Sequence, residues 1–307
     1  MHISVLLNEA VDALNIKEDG IYVDSTLGYA GHSSEILKRI KKGHLFAIDQ
    51  DSDAIEKADE KLRKIGSNYT IIYSNFANIK EELAKRNVSF VDGILFDLGV
   101  SSVQLDCDDR GFSYNHDGPL DMRMDKKGKL SAKDVVNTYS EEKLSEIIFK
   151  YGEEKYARRI AHSIVKKRCE KEIETTLELA EIVKSCFPLK ERRDKHPARR
   201  TFQAIRIEVN HELEVLEKAL RESLSLLNVD GRIAVITFHS LEDKIVKNLF
   251  KEKSKIDDKV KGLPLIPSSY LPDFELVNSH AIEPKKEEIE NNYRSRSAKL
   301  RVIKRIK

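Results

Sequence analysis

A glycine-bearing run, Asp24-Ser25-Thr26-Leu27-Gly28-Tyr29-Ala30-Gly31-His32-Ser33, passes from a β-rich stretch directly into a helical pattern. Small residues at such a turn let a ligand approach the backbone. Glycine admits positive φ and carries no Cβ, and the first N–H groups of a helix can meet a carboxylate or phosphate. The next β-rich run closes on Asp49, whose carboxylate suits the two hydroxyls of a ribose. A mere helix cap is the structural alternative for Asp49, but Asp53-Ala54-Ile55-Glu56 already supplies a capping-box-like start, which leaves Asp49 for a ligand. Phe76, just past the third run, is placed to lie against an adenine ring, although a lone aromatic is more often core. The fourth run ends in Asp97-Leu98-Gly99-Val100-Ser101-Ser102-Val103-Gln104, a small polar exit where the reactive end of a nucleoside cofactor would lie.

A nicotinamide dinucleotide and S-adenosylmethionine both present an adenosine ribose. The glycine spacing separates them. Gly28-x-x-Gly31 is not the Gly-x-Gly-x-x-Gly that seats a pyrophosphate on a helix N-terminus. A methionine carboxylate suits this loop better.

Positioning these residues requires strands that end at one rim. Gly20-Ile21-Tyr22-Val23-Asp24, His44-Leu45-Phe46-Ala47-Ile48-Asp49, Thr70 to Tyr73 and Val91-Asp92-Gly93-Ile94-Leu95-Phe96-Asp97 read as strands. Helical patterns over Ser33 to Lys41 and Ala54 to Ile65 lie between them. Such alternation predicts a parallel sheet with helices on both faces, whose ligands sit beyond the carboxyl ends of the strands. From about Gln104 to Arg199 the strand rhythm gives way to helices at Glu141 to Tyr151 behind Ser140, Lys155 to Lys167, and Leu177 to Cys186 after Thr175-Thr176. One long amphipathic helix is expected over Pro197 to Leu227, then a buried strand at Gly231 to Phe238 and a last edge strand at Ala298 to Ile306. Glu283 to Asn292 reads as a solvated loop. The expectation is an α/β domain in two parts, residues 1–103 and 200–307, interrupted by a helical insertion, 104–199, that recognises the substrate.

Composition excludes several classes. The 54 Lys plus Arg against 52 Asp plus Glu leave a net charge of +2, so any nucleic-acid argument must rest on local clusters. Two are present. Lys190, Arg192, Arg193, Lys195, Arg199, Arg200 and Arg206 face only Glu191 and Asp194, and Tyr293 to Lys307 is basic without an acid. Cys107, Cys169 and Cys186 lack the spacing of a zinc site or a disulfide framework. The first ten residues lack a secretory pattern, and no apolar run is long enough to span a bilayer, so a reducing cytosol away from the membrane is the simplest address. Asp117, Asp121 and Asp125 do not follow a calcium loop, and no metal is expected.

The glycine run, Phe46-Ala47-Ile48-Asp49 and Asp97 to Asp106 resemble the MraW family of ribosomal RNA small-subunit methyltransferases. Further matching blocks are Arg110-Gly111-Phe112-Ser113-Tyr114, Asp117 to Asp125, Tyr151-Gly152-Glu153-Glu154, His196 to Arg206 and Phe238-His239-Ser240-Leu241-Glu242-Asp243. The resemblance spans nearly the whole chain, in order. It implies a Rossmann-like class I S-adenosylmethionine-dependent methyltransferase with an inserted helical domain. It further implies methyl transfer to the exocyclic N4 of one cytidine in the decoding region of bacterial 16S ribosomal RNA. The partner is then the small ribosomal subunit, and a homodimer is compatible with it. By the same resemblance Ala30, Gly31, His32, Asp49, Phe76, Asp97 and Gln104 contact the cofactor. Tyr29 and Ala30 depart from many relatives, which commonly carry glycine at the second position.

Cytosine N4 is a poor nucleophile because its lone pair is delocalised into the ring. Its hydrogens must be held while the lone pair turns toward the methyl group. Asp97 and the Leu98-Gly99 backbone are the candidates, but Asp97 has a competing role as partner of the methionine ammonium, and that role is preferred to direct base contact. Amino-methyltransferases of cytosine often carry an Asp/Ser-Pro-Pro-Tyr/Phe segment here. This chain does not, so base stacking falls to Phe112 or Tyr114, and Arg199 and Arg200 are candidates for RNA phosphates. His32 and His239 are read as capping or packing residues rather than bases. The rivals are a nicotinamide oxidoreductase and a non-catalytic RNA-binding protein.

Overall fold

Residues 4–192, 196–256, 260 and 267–307 are described by the computed structural model. The chain divides into two compact units, residues 1–99 with 213–307, and residues 100–212. The first begins with α1 (Leu7–Ala13), β1 (Ile21–Asp24), α2 (Gly31–Arg39), β2 (His44–Asp49), α3 (Ser52–Leu62), β3 (Tyr69–Tyr73), α4 (Ile79–Ala84) and β4 (Val91–Asp97). The second holds α5 (Ser102–Asp106), α6 (Ala132–Thr138), α7 (Glu141–Gly152), α8 (Ala157–Glu170), α9 (Thr176–Ser185) and α10 (Arg199–Asn210). Next come α11 (Glu212–Leu226), β5 (Leu227–Thr237), α12 (Ser240–Ser254), β6 (Phe274–Leu276), α13 (Lys286–Asn291) and β7 (Lys299–Arg305).

The strands form one sheet in the order β3-β2-β1-β4-β5-β7-β6. Neighbours among β1 to β5 are parallel, and β7 runs antiparallel to both β5 and β6. Side chains alternate between faces along each strand, and the sequence obeys that period on both. Val23, Phe46, Ile48, Ile94, Phe96, Ile233 and Val235 join Leu216 and Leu220 of α11 and Val246 of α12 in one core. Tyr22, Leu45, Ala47, Leu95, Ala234 and Ile236 join α1 and α2 in the other. Two apolar faces per strand require helices on both sides, the Rossmann-like doubly wound arrangement. Strand order reverses between β1 and β4, which sets the ends of those strands, Asp24 and Asp97, at the crevice where such sheets bind ligands.

Three local expectations are corrected. Residues Ala298 to Ile306 do hold a strand, but β7 is interior, because the three-residue β6 pairs outside it as the edge. The long helix over Pro197 to Leu227 is broken at His211, whose φ of 49° is left-handed and ends α10 before α11 begins. The stretch Glu283 to Asn292 contains α13, anchored where Leu6 N donates to Glu288 Oε1 at 2.8 Å.

In the helical unit the expected starts are in place: Ser140 Oγ accepts from Lys143 N, and Thr175 with Glu178 forms a full capping box. Ile147 and Ile148 of α7, Ile160 and Ile164 of α8, and Phe202 and Ile205 of α10 are buried. Helices α7 and α10 approach closely at Gly152, where a Cβ would lie 2.7 Å from the Arg200 carbonyl oxygen. This unit runs to Glu212 and so takes in α10, which a boundary at residue 199 leaves outside.

Candidate active site

Buried Asp24 ties both ends of the loop between β1 and α2 to its strand. Asp24 Oδ1 accepts from Thr26 N at 3.1 Å, and its Oδ2 accepts from Ser33 Oγ at 2.6 Å. Thr26 Oγ1 accepts from Asp97 N at 2.7 Å, and Leu27 N donates to Ile48 O at 2.9 Å, which link the loop to β4 and β2. Gly28 has a φ of +48°, the conformation that favours glycine, with nothing crowding its Cβ position. Ala30 also takes a positive φ, 55°, and is buried. Gly31 does not. A Cβ there would meet Ser4 Oγ at 1.7 Å, so its smallness admits the Ser4 side chain.

Asp49 is not idle. Its Oδ2 accepts from Gly28 N at 2.7 Å and its Oδ1 from Asp51 N at 2.8 Å, so it clamps the glycine loop to the start of α3. The cap of α3 is Asp51, whose Oδ1 accepts from Asp53 N at 3.1 Å, not the Asp53 to Glu56 segment. Burial pushes the Asp49 carboxyl up to about 6, with the Asp51 and Gly28 N–H groups pulling against it. Each oxygen retains a lone pair, and two further donors would favour the anion. Phe76 opens a 3₁₀ turn after β3 with its ring edge-on to Phe96, 5.6 Å between centroids.

Asp97 closes β4 with a side chain 24% exposed, yet its Oδ1 is buried and has no hydrogen-bond partner among the described residues. Burial, then the charges of Asp24 and Glu242, hold its carboxyl well above the usual range. His32 supplies the nearest compensation. Its Nε2 lies 3.1 Å from the Val5 carbonyl, which can only accept, so Nε2 carries a hydrogen and Nδ1 faces Asp97 Oδ2 at 3.5 Å. One proton must lie between those two atoms for the contact to attract. A buried carboxylate oxygen without a donor, at the rim where β1 and β4 diverge, fits a cationic ligand. His239 instead caps α12 with Glu242 in a capping box, the structural role expected of it.

The remaining expected residues belong to the helical unit. Gln104 is buried and accepts from Ser101 N through Oε1 at 3.0 Å, completing the α5 capping box. Phe112 is only 5% exposed, with the Arg110 guanidinium over its ring at 5.9 Å, so its face is not open to a base. Tyr114 is partly exposed and stacks on His196, 4.7 Å between centroids and 20° from parallel, with Phe202 edge-on beneath. His196 was missed by sequence reasoning because nothing in its spacing from Tyr114 marks the contact.

Arg199 donates from its backbone N–H to the His196 carbonyl at 3.1 Å, and its guanidinium has no hydrogen-bond or ion-pair partner among the described residues. Arg200 donates to the Glu153 carbonyl at 3.1 Å and lies 3.9 Å from buried Glu154. Of the first basic cluster, Arg193 and Lys195 lie outside the described residues. The C-terminal cluster is largely spoken for. Arg301 forks onto Asp243, Lys304 meets Asp230 at 2.8 Å, and Arg305 donates to Leu227 O.

A family model described as the MraW methylase family matches residues 1–306. A Clostridium botulinum protein named ribosomal RNA small subunit methyltransferase H is 54% identical over 306 residues, 99% of each chain. One of the same name from Exiguobacterium sibiricum is 52% identical over all of this chain and 98% of its own. An rRNA methylase structure from Streptococcus thermophilus aligns over 100% of both chains with a TM-score of 0.47 at 11% identity. Among the described residues no helix is long and apolar enough to cross a membrane.

Proposed function

Because the chain belongs to the MraW methylase family, whose methyl donor is S-adenosylmethionine, we propose that it methylates the exocyclic N4 of one cytidine in the decoding region of 16S ribosomal RNA. The observation that carries the reading is the unpartnered Asp97 Oδ1 at the end of β4, beside a glycine loop clamped by Asp24 and Asp49. Bound there, S-adenosylmethionine supplies a methyl group on a positively charged sulfur, a leaving group that departs as a neutral thioether.

The chain's residues hold and aim. Asp49 accepts the ribose hydroxyls with its remaining lone pairs, and Phe76 borders the adenine. The N–H groups of Gly31 and His32, at the start of α2, receive the methionine carboxylate, and Ala30 sets their direction by donating its own N–H to Leu27 O. Asp97 receives the ammonium, the cation that its buried oxygen lacks. Gln104 is the remaining cofactor contact. The Leu98 and Gly99 carbonyls accept the two hydrogens of cytosine N4, which frees its lone pair for in-line attack. The proton of the product leaves to water. Tyr114, backed by His196, is the stacking platform, and Arg199 a phosphate contact.

Small subunits from cells lacking the gene, incubated with methyl-labelled S-adenosylmethionine and digested to nucleosides, provide the test. The expected product is labelled N4-methylcytidine from one decoding-region position, with incorporation lost in Asp49→Ala. Label on another atom or another nucleotide refutes the specificity. Wild-type protein that binds subunits without transferring label favours the non-catalytic reading.

A further inference from the structure

The sequence singled out two basic clusters, but the helical unit carries a third that neither includes. Helix α8 holds Arg158, Arg159, Lys166, Lys167 and Arg168 against one acid, Glu170. At 3.6 residues per turn, Arg158, His162, Lys166 and Arg159 fall within about 100° of arc. All four are exposed, while Ala157, Ile160, Ala161 and Ile164 bury the opposite side. Pairing is what sets this face apart from the C-terminal strand. Arg301 and Lys304 on β7 have carboxylate partners, whereas on this face only His162 meets a carboxylate, Glu141 at 3.3 Å, and the side chains of Arg158, Arg159 and Lys166 have no hydrogen bond or ion pair among the described residues.

The face is continuous with cations already assigned to RNA. Arg200 at the head of α10 donates to the carbonyl of Glu153, just before α8. The 3₁₀ turn Leu189–Arg192 is tied to the same end of α8, because Glu191 accepts from Tyr156 Oη and pairs with Lys155, both at 2.9 Å. That turn presents Lys190, exposed and with no side-chain partner among the described residues.

Resting on the proposed rRNA methylation, we infer that the solvent face of α8 is an RNA-docking surface, on which Arg158, Arg159 and Lys166 grip backbone phosphates outside the target nucleotide. The partner is a polyanion rather than a protein surface. α8 exposes no large apolar side chain, and a protein interface is centred on apolar or aromatic anchors. Phosphate binding needs only charges free of internal partners. From Arg158 to Lys166 the helix rises roughly 12 Å, a span over which separate phosphates are reached.

The test is the salt dependence of small-subunit binding between roughly 50 and 200 mM salt. It is run beside methyl-transfer kinetics for the wild type and for the variant Arg158→Ala/Arg159→Ala/Lys166→Ala. Three lost phosphate contacts should flatten the slope of log K against log salt by about 2 to 3 and raise KM for subunits about tenfold at the higher salt. kcat and S-adenosylhomocysteine affinity should stay as in the wild type. Each single alanine variant should take about one third of the slope change, which decides the matter even if the triple variant folds poorly. Lys304→Ala on β7 should leave the slope alone. Variants that keep the wild-type slope and KM overturn the surface, as does weaker binding with an unchanged slope, which indicates a protein partner. A wild type that neither binds nor methylates subunits overturns the function itself, and this surface with it.

Discussion

Burial and the charges of Asp24 and Glu242 raise the Asp97 carboxyl, so its anion is disfavoured until a cation arrives. A carboxyl whose folded value exceeds its unfolded value loses folding stability as pH climbs from the unfolded value, about 3.9, toward the folded one. Asp97→Asn removes that loss. Without cofactor, the variant should melt above the wild type at pH 8 and level with it near pH 4, as calorimetric scans would record. It should also bind S-adenosylmethionine roughly 10- to 150-fold more weakly, the span of a charge-assisted hydrogen bond, with kcat retained at saturating cofactor. A fall in kcat alone would move Asp97 from the ammonium to the base. Asp49, pushed up to about 6, titrates within reach of ordinary buffers. Its anion is the acceptor, so S-adenosylhomocysteine affinity should be full well above that value and decline as pH falls through it. Asp49→Asn should remove this component and leave the one from Asp97. Superimposable profiles would show that Asp49 does not face the ligand.

Two backbone positions make opposite predictions at the scale of the elements. His211 is exposed in a left-handed conformation between α10 and α11, so His211→Gly should stabilise the protein by about 0.5–1 kcal/mol, read from denaturant midpoints. Gly152→Ala drives a methyl group onto the Arg200 carbonyl and should destabilise the α7–α10 packing by about 1–3 kcal/mol. Sequence made the parallel strands legible because their period is two on both faces, and it placed Asp49 and Asp97 because they close such strands. It could not show that Asp49 already bridges Gly28 and Asp51, since both donors are backbone groups. The helix break at His211 escaped because no proline or glycine marks it. The edge role of β6 escaped because three residues carry no period. The C-terminal cations looked available because Asp230 and Asp243, their partners, are distant in sequence. Phe112 read as a stacking candidate beside Tyr114 because both are aromatics of the insertion, yet the fold buries it.

The proposed cofactor contacts Ala30, Gly31, His32, Asp49, Phe76 and Asp97 all belong to the unit built from residues 1–99 and 213–307. Ligand at a hundredfold excess over its Kd adds about 2.7 kcal/mol to the stability of what it binds. S-adenosylhomocysteine should therefore raise Tm by several degrees while NAD leaves it unmoved, and the reverse would install the oxidoreductase reading. Cys107 and Cys169 are exposed and Cys186 is buried, all as free thiols, so reductant should not alter either melt. Methyl transfer by this chain requires a nucleoside seat formed by the glycine loop, Asp49 and Asp97. Isothermal titration of S-adenosylhomocysteine into the pure, folded chain examines that seat without RNA or turnover. One equivalent taken up per chain, with affinity sharply reduced in Asp49→Ala, is the predicted result. No heat of binding from wild-type protein that is demonstrably folded would contradict it.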